Sequence, residues 1–266
     1  MDLSKWQELI DESLSRWDEN AEYWDDYMGE QSNRWHRQLI RPNTERLLDI
    51  KEGQTILDVS CGNGNFSKRL AELGAKVIAF DYSTKMIERA KLRCKDNLNN
   101  IDFRVIDATN YDSLIELGVD KFDSSVANMA LMDIADISSL IKSLHKLLKQ
   151  NGCFVFSIPH PCFQPPNARK ICEIEDIDGA VVSRKSIQIS KYLKSEVFET
   201  LGIKGQPVPH LIFHRPISYY LNLLFESNFV LDGILEPTFD DVEKEYYKFD
   251  WHHIPPVIIF RFRKVK

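Results

Sequence analysis

The 266-residue sequence lacks the features that mark several large classes of protein. No uninterrupted apolar run is long enough to span a membrane, and the acidic, amphipathic N-terminus has no apolar region typical of a signal peptide. Positive charge is not in excess either: the net charge is −6, which argues against a large nucleic-acid footprint. We therefore expect a cytoplasmic protein without a membrane segment and without a nucleic-acid partner.

Cysteine is scarce, and its pattern argues against disulfide bonds and a zinc site. The five residues are Cys61, Cys94, Cys153, Cys162 and Cys172. Their number is odd, and their spacings match no zinc-binding pattern. Cys94 falls at the end of a helical pattern and Cys153 in an apolar strand pattern, where buried free thiols are expected. No metal site is predicted.

From residue 54 onward, short apolar runs alternate with helical patterns. The predicted strands of this region are Ile56–Val59, Lys76–Phe80, Ile101–Val105, Phe122–Val126 and Cys153–Ile158. A helix from about Ile137 to Lys149, followed by the turn signal Asn151-Gly152, is predicted before the last of them. Repeated strand–helix units of this length predict an α/β fold with a doubly wound sheet, in which right-handed crossovers join parallel strands. Two closing strands, Phe229–Leu235 and Val257–Phe262, have no helix between them and are expected to pair antiparallel.

The remaining segments are predicted to cover this core as parts of a single domain. They comprise a helical cap at 1–50, an insertion at 159–214, and a terminal helix with the closing strand pair at 215–266, in addition to the ligand-binding core at 54–158. The insertion has too few apolar residues for a core of its own, and Ser186–Tyr192 is its β-like stretch. An acidic aromatic loop, Pro237–Pro256, joins the closing strands.

A glycine-containing turn lies between the first strand and the first helix of the core. Residues Ser60–Asn65 read Ser-Cys-Gly-Asn-Gly-Asn, and the helical pattern Phe66–Leu73 follows directly. Gly62 and Gly64 permit backbone conformations closed to other residues and leave room for a ligand to approach. The helix N-terminus behind them offers unpaired N–H groups. The turn therefore predicts a nucleotide-type ligand.

Missing elements narrow the identity of that nucleotide. No Gly-Lys-Ser or Gly-Lys-Thr follows the turn, which excludes a P-loop. Ser67 occupies the third glycine position of the dinucleotide fingerprint, and no basic phosphate clamp lies near the turn. The next two strands end at Asp81 and Asp107, whose carboxylates suit a ribose diol and the exocyclic amine of adenine. An adenosine without phosphates is the ligand we expect.

The segment Asp58–Gly64 resembles the first motif of class I S-adenosylmethionine-dependent methyltransferases, whose usual form is acidic-x-Gly-x-Gly-x-Gly. Asp81 matches the ribose-binding acid of that family, and Asp107-Ala108 matches its adenine-binding pair. Leu147–Phe156 is similar to the family's turn into the fifth strand. Ser60 stands where the family usually has glycine. The resemblance covers about residues 54–158 and the closing strand pair. Two further segments, His160–Phe163 and His214–Pro216, resemble stretches of bacterial small-molecule methyltransferases of uncharacterised substrate.

This resemblance implies S-adenosylmethionine as the cofactor, S-adenosylhomocysteine as the product, and the strand order 3-2-1-4-5-7-6 with the seventh strand antiparallel. The implied cofactor-binding residues lie at or beyond the ends of the first four strands: Asp58, Ser60, Cys61, Gly62, Asn63, Gly64, Asn65, Asp81, Tyr82, Ser83, Met86, Asp107, Ala108, Thr109, Asn128, Met129 and Ala130. Each landmark alone could be a tight turn, a helix cap or a loop aspartate. Their order on consecutive strand ends favours the cofactor.

Methyl transfer from a sulfonium mainly requires that the acceptor lone pair be aligned with the methyl group. Orientation of this kind can supply about 7–11 kcal/mol. A general base is needed only where the acceptor must lose a proton. The candidate is His160, which follows the fifth strand, because histidine can take a proton near neutral pH. The alternative is a histidine that hydrogen-bonds the backbone of a rigid proline turn.

The helical cap, the insertion and the last loop are predicted to form the pocket for a small organic methyl acceptor, because all three are rich in aromatic residues. The candidate substrate or lid residues are Tyr23, Trp24, Tyr27, Asn33 and His214. The aromatic stripe of the cap could instead only dock its helices on the core. Two other functions stay open: an RNA methyltransferase, and a non-catalytic S-adenosylmethionine-binding protein of the same fold.

Overall fold

The computed structural model describes residues 3–240 and 251–266. The helices in these ranges are α1 (Leu3–Met28), α2 (Arg41–Leu48), α3 (Asn65–Glu72), α4 (Thr84–Arg93), α5 (Tyr111–Ile115), α6 (Ser138–Leu147) and α7 (Ile217–Glu226), with a π-helix at His36–Ile40 and a 3₁₀ turn at Lys95–Asn97. The strands are β1 (Thr55–Val59), β2 (Lys76–Asp81), β3 (Ile101–Val105), β4 (Phe122–Asn128), β5 (Leu148–Pro159), β6 (Arg169–Ile177), β7 (Ala180–Gln188), β8 (Glu196–Thr200), β9 (His210–His214), β10 (Phe229–Leu235) and β11 (Val257–Lys264).

Seven of these strands form the central sheet in the order β10-β11-β5-β4-β1-β2-β3. Strands β1 to β5 pair in parallel, whereas β11 runs antiparallel to both β5 and β10. The predicted order 3-2-1-4-5-7-6 is therefore confirmed. The register pairs Val59 with Phe80 and Asp81 with Val105, so the parallel strands end along one edge of the sheet. The glycine turn and the predicted aspartates meet at that edge.

Helices cover both faces of the sheet, as expected for strands that read as continuous apolar runs. On one face Leu140 and Leu144 of α6 and Leu224 of α7 pack with Phe154 and Phe156 of β5. On the other face α2, α3 and α4 cover β1 and β2; the buried residues there include Leu48, Leu70, Ile87, Ile56 and Val77. This double cover holds the strand ends in a fixed arrangement.

The helical cap is tied directly to the glycine turn. The carboxylate of Asp25, near the end of α1, accepts hydrogen bonds from the amide of Asn63 at 3.1 Å and from the guanidinium of Arg93. The same guanidinium donates to the carbonyl oxygen of Gly29 at 2.6 Å, and only 7% of the Arg93 side chain is exposed. The Asn65 amide also donates to Gly29 at 3.2 Å. The end of α1 is thereby held against the turn.

The insertion contains more β-structure than the sequence patterns predicted. It forms two antiparallel hairpins, β6 with β7 and β8 with β9, and of the predicted stretch Ser186–Tyr192 only Ser186–Gln188 lies in a strand. The first hairpin turns at Asp178-Gly179, where φ is 52° and 78°. Two adjacent residues with positive φ are the requirement of a two-residue hairpin turn, for which Asp-Gly is a favoured sequence.

The helix predicted before the fifth strand ends earlier than expected. The sequence pattern predicted a helix to Lys149 and a strand from Cys153, but α6 ends at Leu147 and β5 begins at Leu148. Leu148 pairs with Phe122, and the next paired residue of β5 is Cys153. Lys149–Gly152 therefore form an irregularity within the strand, where Asn151 has a φ of 64°. The Asn-Gly signal marks a break in register instead of a turn between two elements.

Several predictions about the rest of the chain concern what it lacks. Within residues 3–240 and 251–266, no helix is both long and apolar enough to cross a membrane. In the same ranges, no group of three or more His, Cys, Asp or Glu side chains is placed to hold a metal ion, and the five cysteines are free.

Of the predicted loop Pro237–Pro256, residues 241–250 lie outside the described ranges, while Phe239 and Trp251 pack on Trp35.

Candidate active site

A cavity of about 1760 Å³ lies at the carboxyl edge of the parallel strands. Its walls are the glycine turn, the ends of β2, β3 and β4, the inner face of α1, the segment 30–40, and parts of the insertion around β8 and β9. Pockets for a single small ligand are usually about 300–1,000 Å³. The cavity therefore has room for a nucleoside-sized molecule and for a second molecule beside it.

The glycine turn contains three residues in the left-handed region, Ser60, Gly62 and Gly64, with φ of 49°, 54° and 76°. A Cβ atom added to Gly62 would meet no atom within 4 Å, whereas one added to Gly64 would lie 2.9 Å from Cβ of Ala90. Gly62 therefore leaves open space beside the cavity, and Gly64 lets the start of α3 pack against α4. The conformation of Ser60 explains why glycine is usual at its position.

Alanine substitutions should have different effects at these two glycines. Gly64→Ala is expected to lower the free energy of unfolding by about 2–4 kcal/mol, because the left-handed conformation and the contact with Ala90 both disfavour a side chain. Gly62→Ala has only the conformational cost of about 1–2 kcal/mol and should instead weaken cofactor binding. Urea unfolding and calorimetric titration check both. Equal losses of stability in the two variants would contradict the assignment.

Two aspartates are held rigidly at the ends of β2 and β3. Asp81 accepts a hydrogen bond from the N–H of Gly62 through Oδ2 and from the N–H of Ser83 through Oδ1, both at 2.9 Å. Asp107 accepts from the N–H of Thr109 at 2.8 Å. Burial raises the pKa of Asp81 above its usual range. Both side chains line the cavity with oriented oxygens, as recognition of hydroxyl and amine donors requires.

Asp58 lies behind the turn and not in the main cavity. It is 2% exposed, and its Oδ2 accepts a hydrogen bond from the hydroxyl of Ser67 at 2.5 Å. It lines a separate cavity of about 80 Å³ together with Asn65. Burial raises the pKa of Asp58 to about 7; the hydrogen bond from Ser67 opposes this shift, and the charge of Asp81 adds to it. Asp58 therefore stabilises the turn from its buried side, through the hydrogen bond with Ser67.

The raised pKa of Asp58 predicts a pH-dependent stability. The unfolded chain releases this proton near pH 4 (about the usual aspartate value), whereas the folded protein releases it at about 7. Between these values the folded state binds more protons, so the free energy of unfolding contributed by Asp58 falls as pH rises, by at most about 1.4 kcal/mol per pH unit. Asp58→Asn removes this term. The free energy of unfolding of the variant, relative to that of the wild type, should therefore increase as the pH rises through this window. Urea unfolding at several pH values measures this, and a difference between the two proteins that does not change with pH would contradict the shift.

The end of β4 presents an amide with an unused donor. The Oδ1 atom of Asn128 accepts hydrogen bonds from the hydroxyls of Thr44 at 2.9 Å and Ser157 at 3.3 Å. Its Nδ2 atom is buried and has no hydrogen-bond partner in the described part of the chain. Met129, the next residue, has a φ of 51°. A buried donor and a left-handed residue at a cavity wall are features that a bound ligand would explain.

Most of the predicted site residues line the main cavity. They are Ser60, Cys61, Gly62, Asn63, Asp81, Tyr82, Ser83, Met86, Asp107, Ala108, Thr109, Asn128, Met129, Ala130, Trp24, Tyr27 and Asn33. The structure places the others outside its lining: Asp58, Gly64, Asn65, Tyr23, His160 and His214. Tyr23 donates its hydroxyl to the carbonyl oxygen of Lys204 at 2.6 Å, and Nε2 of His214 lies 2.8 Å from the carbonyl oxygen of Tyr192.

His160 occupies the proline turn after β5 with both ring nitrogens engaged. Its Nε2 lies 2.8 Å from Oε1 of Glu236, and its Nδ1 accepts a hydrogen bond from the N–H of Cys162 at 3.2 Å. The ring is 2% exposed and packs on Phe163 with centroids 4.4 Å apart. Burial lowers the pKa of His160, and the hydrogen bond with Glu236 opposes that shift. This geometry favours the structural alternative, a histidine that fastens the turn.

The cavity wall also contains residues that are not among the predicted cofactor, catalytic and substrate residues. His36, at the start of the π-helix, borders both cavities, and burial lowers its pKa to about 4. Trp17 lies with its ring centroid 5.2 Å from that of Trp24, whose Nε1 is buried and unpartnered among the described residues. Asp133 follows the end of β4. No pattern predicted the π-helix, because it depends on how α1 and α2 are joined over the core.

A doubly wound sheet with a glycine turn after β1 and carboxylates at the ends of β2 and β3 defines a class of nucleoside-binding α/β enzymes. A family model described as a methyltransferase domain matches residues 50–199, and the chain belongs to this family. The protein is accordingly an S-adenosylmethionine-dependent methyltransferase.

Three similar proteins each match more than half of this chain. A Haemophilus influenzae protein of uncharacterised function is 26% identical over 233 residues, which span 86% of this chain and 88% of the relative. A ubiquinone biosynthesis O-methyltransferase of Histophilus somni is 30% identical over 164 residues, 59% of this chain and 67% of the relative. The crystal structure of an S-adenosylmethionine-dependent methyltransferase from Mesorhizobium loti is 26% identical, with a TM-score of 0.66 over 84% of this chain and 96% of that one.

Proposed function

We propose that this enzyme transfers a methyl group from S-adenosylmethionine to a small organic acceptor by in-line displacement. One observation carries the proposal: a single cavity joins the glycine turn and the strand-end aspartates to an apolar, aromatic wall formed by α1 and the insertion. The cofactor, when bound, supplies a methyl group on a positively charged sulfur. The task of the chain is then to hold the acceptor in line with that group and to keep water away.

The residues of the cavity fit the parts of the cofactor. We assign the ribose hydroxyls to Asp81, whose two carboxylate oxygens are fixed by backbone N–H groups. We assign the adenine amine to Asp107 and the adjacent Ala108 and Thr109. The open space beside Gly62 would take the methionine half. The unpartnered Nδ2 of Asn128 offers that half a hydrogen-bond donor.

A small acceptor is favoured over RNA by the enclosure and charge of the site. Aromatic and aliphatic side chains of α1 and the insertion form the wall beyond the cofactor region, among them Trp17, Trp24 and Ile212. The net charge of −6 does not suit a polyanion. The relative from Histophilus somni is named for an O-methylation in ubiquinone biosynthesis, which supports a small organic acceptor here.

The test is formation of S-adenosylhomocysteine from S-adenosylmethionine, measured with a filtered small-metabolite extract, with bulk tRNA, and with no acceptor. We expect turnover with the metabolite extract alone. Turnover with tRNA, together with tRNA binding that weakens as salt rises, would favour the RNA methyltransferase alternative. Cofactor binding with no turnover on any fraction would favour the non-catalytic alternative.

A further inference from the structure

Asp133 lies on the cavity wall, on the segment that follows β4. Its backbone N–H donates to the carbonyl oxygen of Ala130 at 2.8 Å. The buried guanidinium of Arg215 donates to the carbonyl oxygens of Leu131 at 2.9 Å and Ile134 at 2.7 Å, one on each side of Asp133. These bonds fix the backbone, and a side chain on a fixed backbone can position a ligand precisely enough for chemistry.

The carboxylate of Asp133 is not used by the fold. Its Oδ1 atom is shielded from solvent and has no hydrogen-bond partner within residues 3–240 and 251–266. The other two aspartates of the wall are engaged, Asp81 with backbone N–H groups at the glycine turn and Asp107 with Thr109. A buried polar atom without a partner is rare in native proteins and calls for an explanation, which a bound ligand would supply.

Several side chains beside Asp133 are apolar. Met132 and Ile134 flank it on its own segment, and Ile10 and Leu14 of α1 contribute to the same cavity wall. Ser13 of α1 donates to the backbone oxygen of Asp133 at 3.3 Å, so the helix contacts this segment without engaging the carboxylate. A carboxylate flanked by apolar side chains suits an apolar molecule that carries a hydrogen-bond donor.

The direction of the pKa shift of this carboxylate also favours a role as proton acceptor. Burial raises the pKa of Asp133 well above the usual aspartate value, and the charge of Asp81 adds to the shift. When it is ionised, a carboxylate with a raised pKa takes a proton more readily than an ordinary carboxylate.

We propose that Asp133 is a catalytic residue that contacts the methyl acceptor, an apolar or aromatic molecule with a hydroxyl or an amine N–H. Its carboxylate accepts the hydrogen bond of that group and takes its proton. In the same step a bond forms between the acceptor oxygen or nitrogen and the methyl carbon, and the sulfur–methyl bond breaks with its electron pair remaining on sulfur. The sulfonium charge and the carboxylate charge are both neutralised. This inference rests on the proposed function.

His36 is the rival proton acceptor on the same wall. Burial lowers its pKa to about 4, which leaves the imidazole neutral and able to accept a proton. It borders the small cavity with Ser60 and Asn128, on the side assigned to the methionine half of the cofactor. Because of this placement, we expect His36 to affect the binding of the cofactor more than that of the acceptor.

The test uses the whole chain loaded with S-adenosylhomocysteine and two pairs of probes, catechol with 1,2-dimethoxybenzene and aniline with N,N-dimethylaniline. In each pair only the first has an O–H or N–H donor. Calorimetry on the wild type should show a preference of about tenfold or more for the donor in at least one pair. Asp133→Leu should abolish that preference, while His36→Asn and the exposed control Asp102→Leu should retain it. Loss of the preference in His36→Asn instead would overturn the proposal.

Turnover of the preferred probe separates proton transfer from binding. Asp133→Asn keeps a hydrogen-bond acceptor but cannot take the proton, so kcat should fall about a hundredfold with little change in KM. An unchanged kcat, or a bound probe that the wild type does not methylate, overturns the proton-transfer step. Absence of any donor preference in the wild type overturns the acceptor contact. Failure to bind S-adenosylhomocysteine would instead count against the proposed function itself, so the two failures are distinguishable.

Discussion

Asp81→Asn is expected to lower the affinity for S-adenosylmethionine about a thousandfold, or about 4 kcal/mol, while the protein stays folded. The carboxylate is proposed to accept hydrogen bonds from both ribose hydroxyls, and hydrogen bonds to a charged group contribute about 1.5–3 kcal/mol each. The amide can replace only part of this, because its nitrogen accepts no hydrogen bond. Isothermal titration calorimetry at neutral pH measures the change directly.

The fold should tolerate this change for an electrostatic reason. Burial raises the pKa of Asp81, so its negative charge at neutral pH destabilises the folded state, and a neutral amide removes that cost. The remaining oxygen can still accept one of the N–H groups of Gly62 and Ser83. Asp96→Asn, on the exposed 3₁₀ turn, is the matched control. An unchanged dissociation constant for Asp81→Asn would contradict the ribose assignment.

Arg215→Met is expected to lower the free energy of unfolding by about 4 kcal/mol or more, the largest loss of stability predicted for this chain. Arg215 is 5% exposed, and its guanidinium donates to the carbonyl oxygens of Leu131, Ile134 and Ala135 at 2.9, 2.7 and 2.6 Å. Methionine has a similar length but leaves these oxygens buried without donors. Each such loss costs about 1–3 kcal/mol.

Urea unfolding of Arg215→Met measures the effect, with Arg104→Met as the control. Arg104 is a partly exposed residue of β3 whose guanidinium pairs with the carboxylate of Asp102. The control should lose less than about 1 kcal/mol, as for a surface ion pair. A similar loss in both variants would contradict the role assigned to Arg215. Arg215→Lys should recover part of the stability, because its ammonium reaches fewer of the three oxygens in the geometry of the guanidinium fork.

The helix α1 connects the two halves of the cavity. Near its end, Asp25 is bound to Asn63 of the glycine turn and to Arg93 of α4. Earlier in the same helix, Ser13 contacts the segment that carries Asp133, and Trp17 forms part of the wall. A molecule bound at the turn and a molecule bound beside Asp133 therefore share one rigid element, which suits a reaction that requires their alignment.

Local patterns in the sequence predicted the core of the fold because the responsible interactions are short in range. Continuous apolar runs identify strands buried on both faces, and glycines with positive φ identify the turn after β1. Asp81 and Asp107 followed from the rule that parallel strands end at one edge. The hairpin around Asp178-Gly179 was not predicted, although Asp-Gly with two positive φ angles is a favoured two-residue turn.

Other features depended on contacts between residues far apart in the chain. Gly62 and Gly64 look alike in the sequence, and only the approach of Ala90 distinguishes them. His160 was the proton acceptor expected from the sequence, but Glu236 lies against its ring nitrogen. No sequence pattern marked Asp133, whose Oδ1 has no hydrogen-bond partner in the described part of the chain. The half of the site proposed for the cofactor could thus be predicted from the sequence alone, since one strand edge builds it. The half proposed for the acceptor was decided by the tertiary structure, because α1, the segment after β4 and the insertion meet there only through long-range packing.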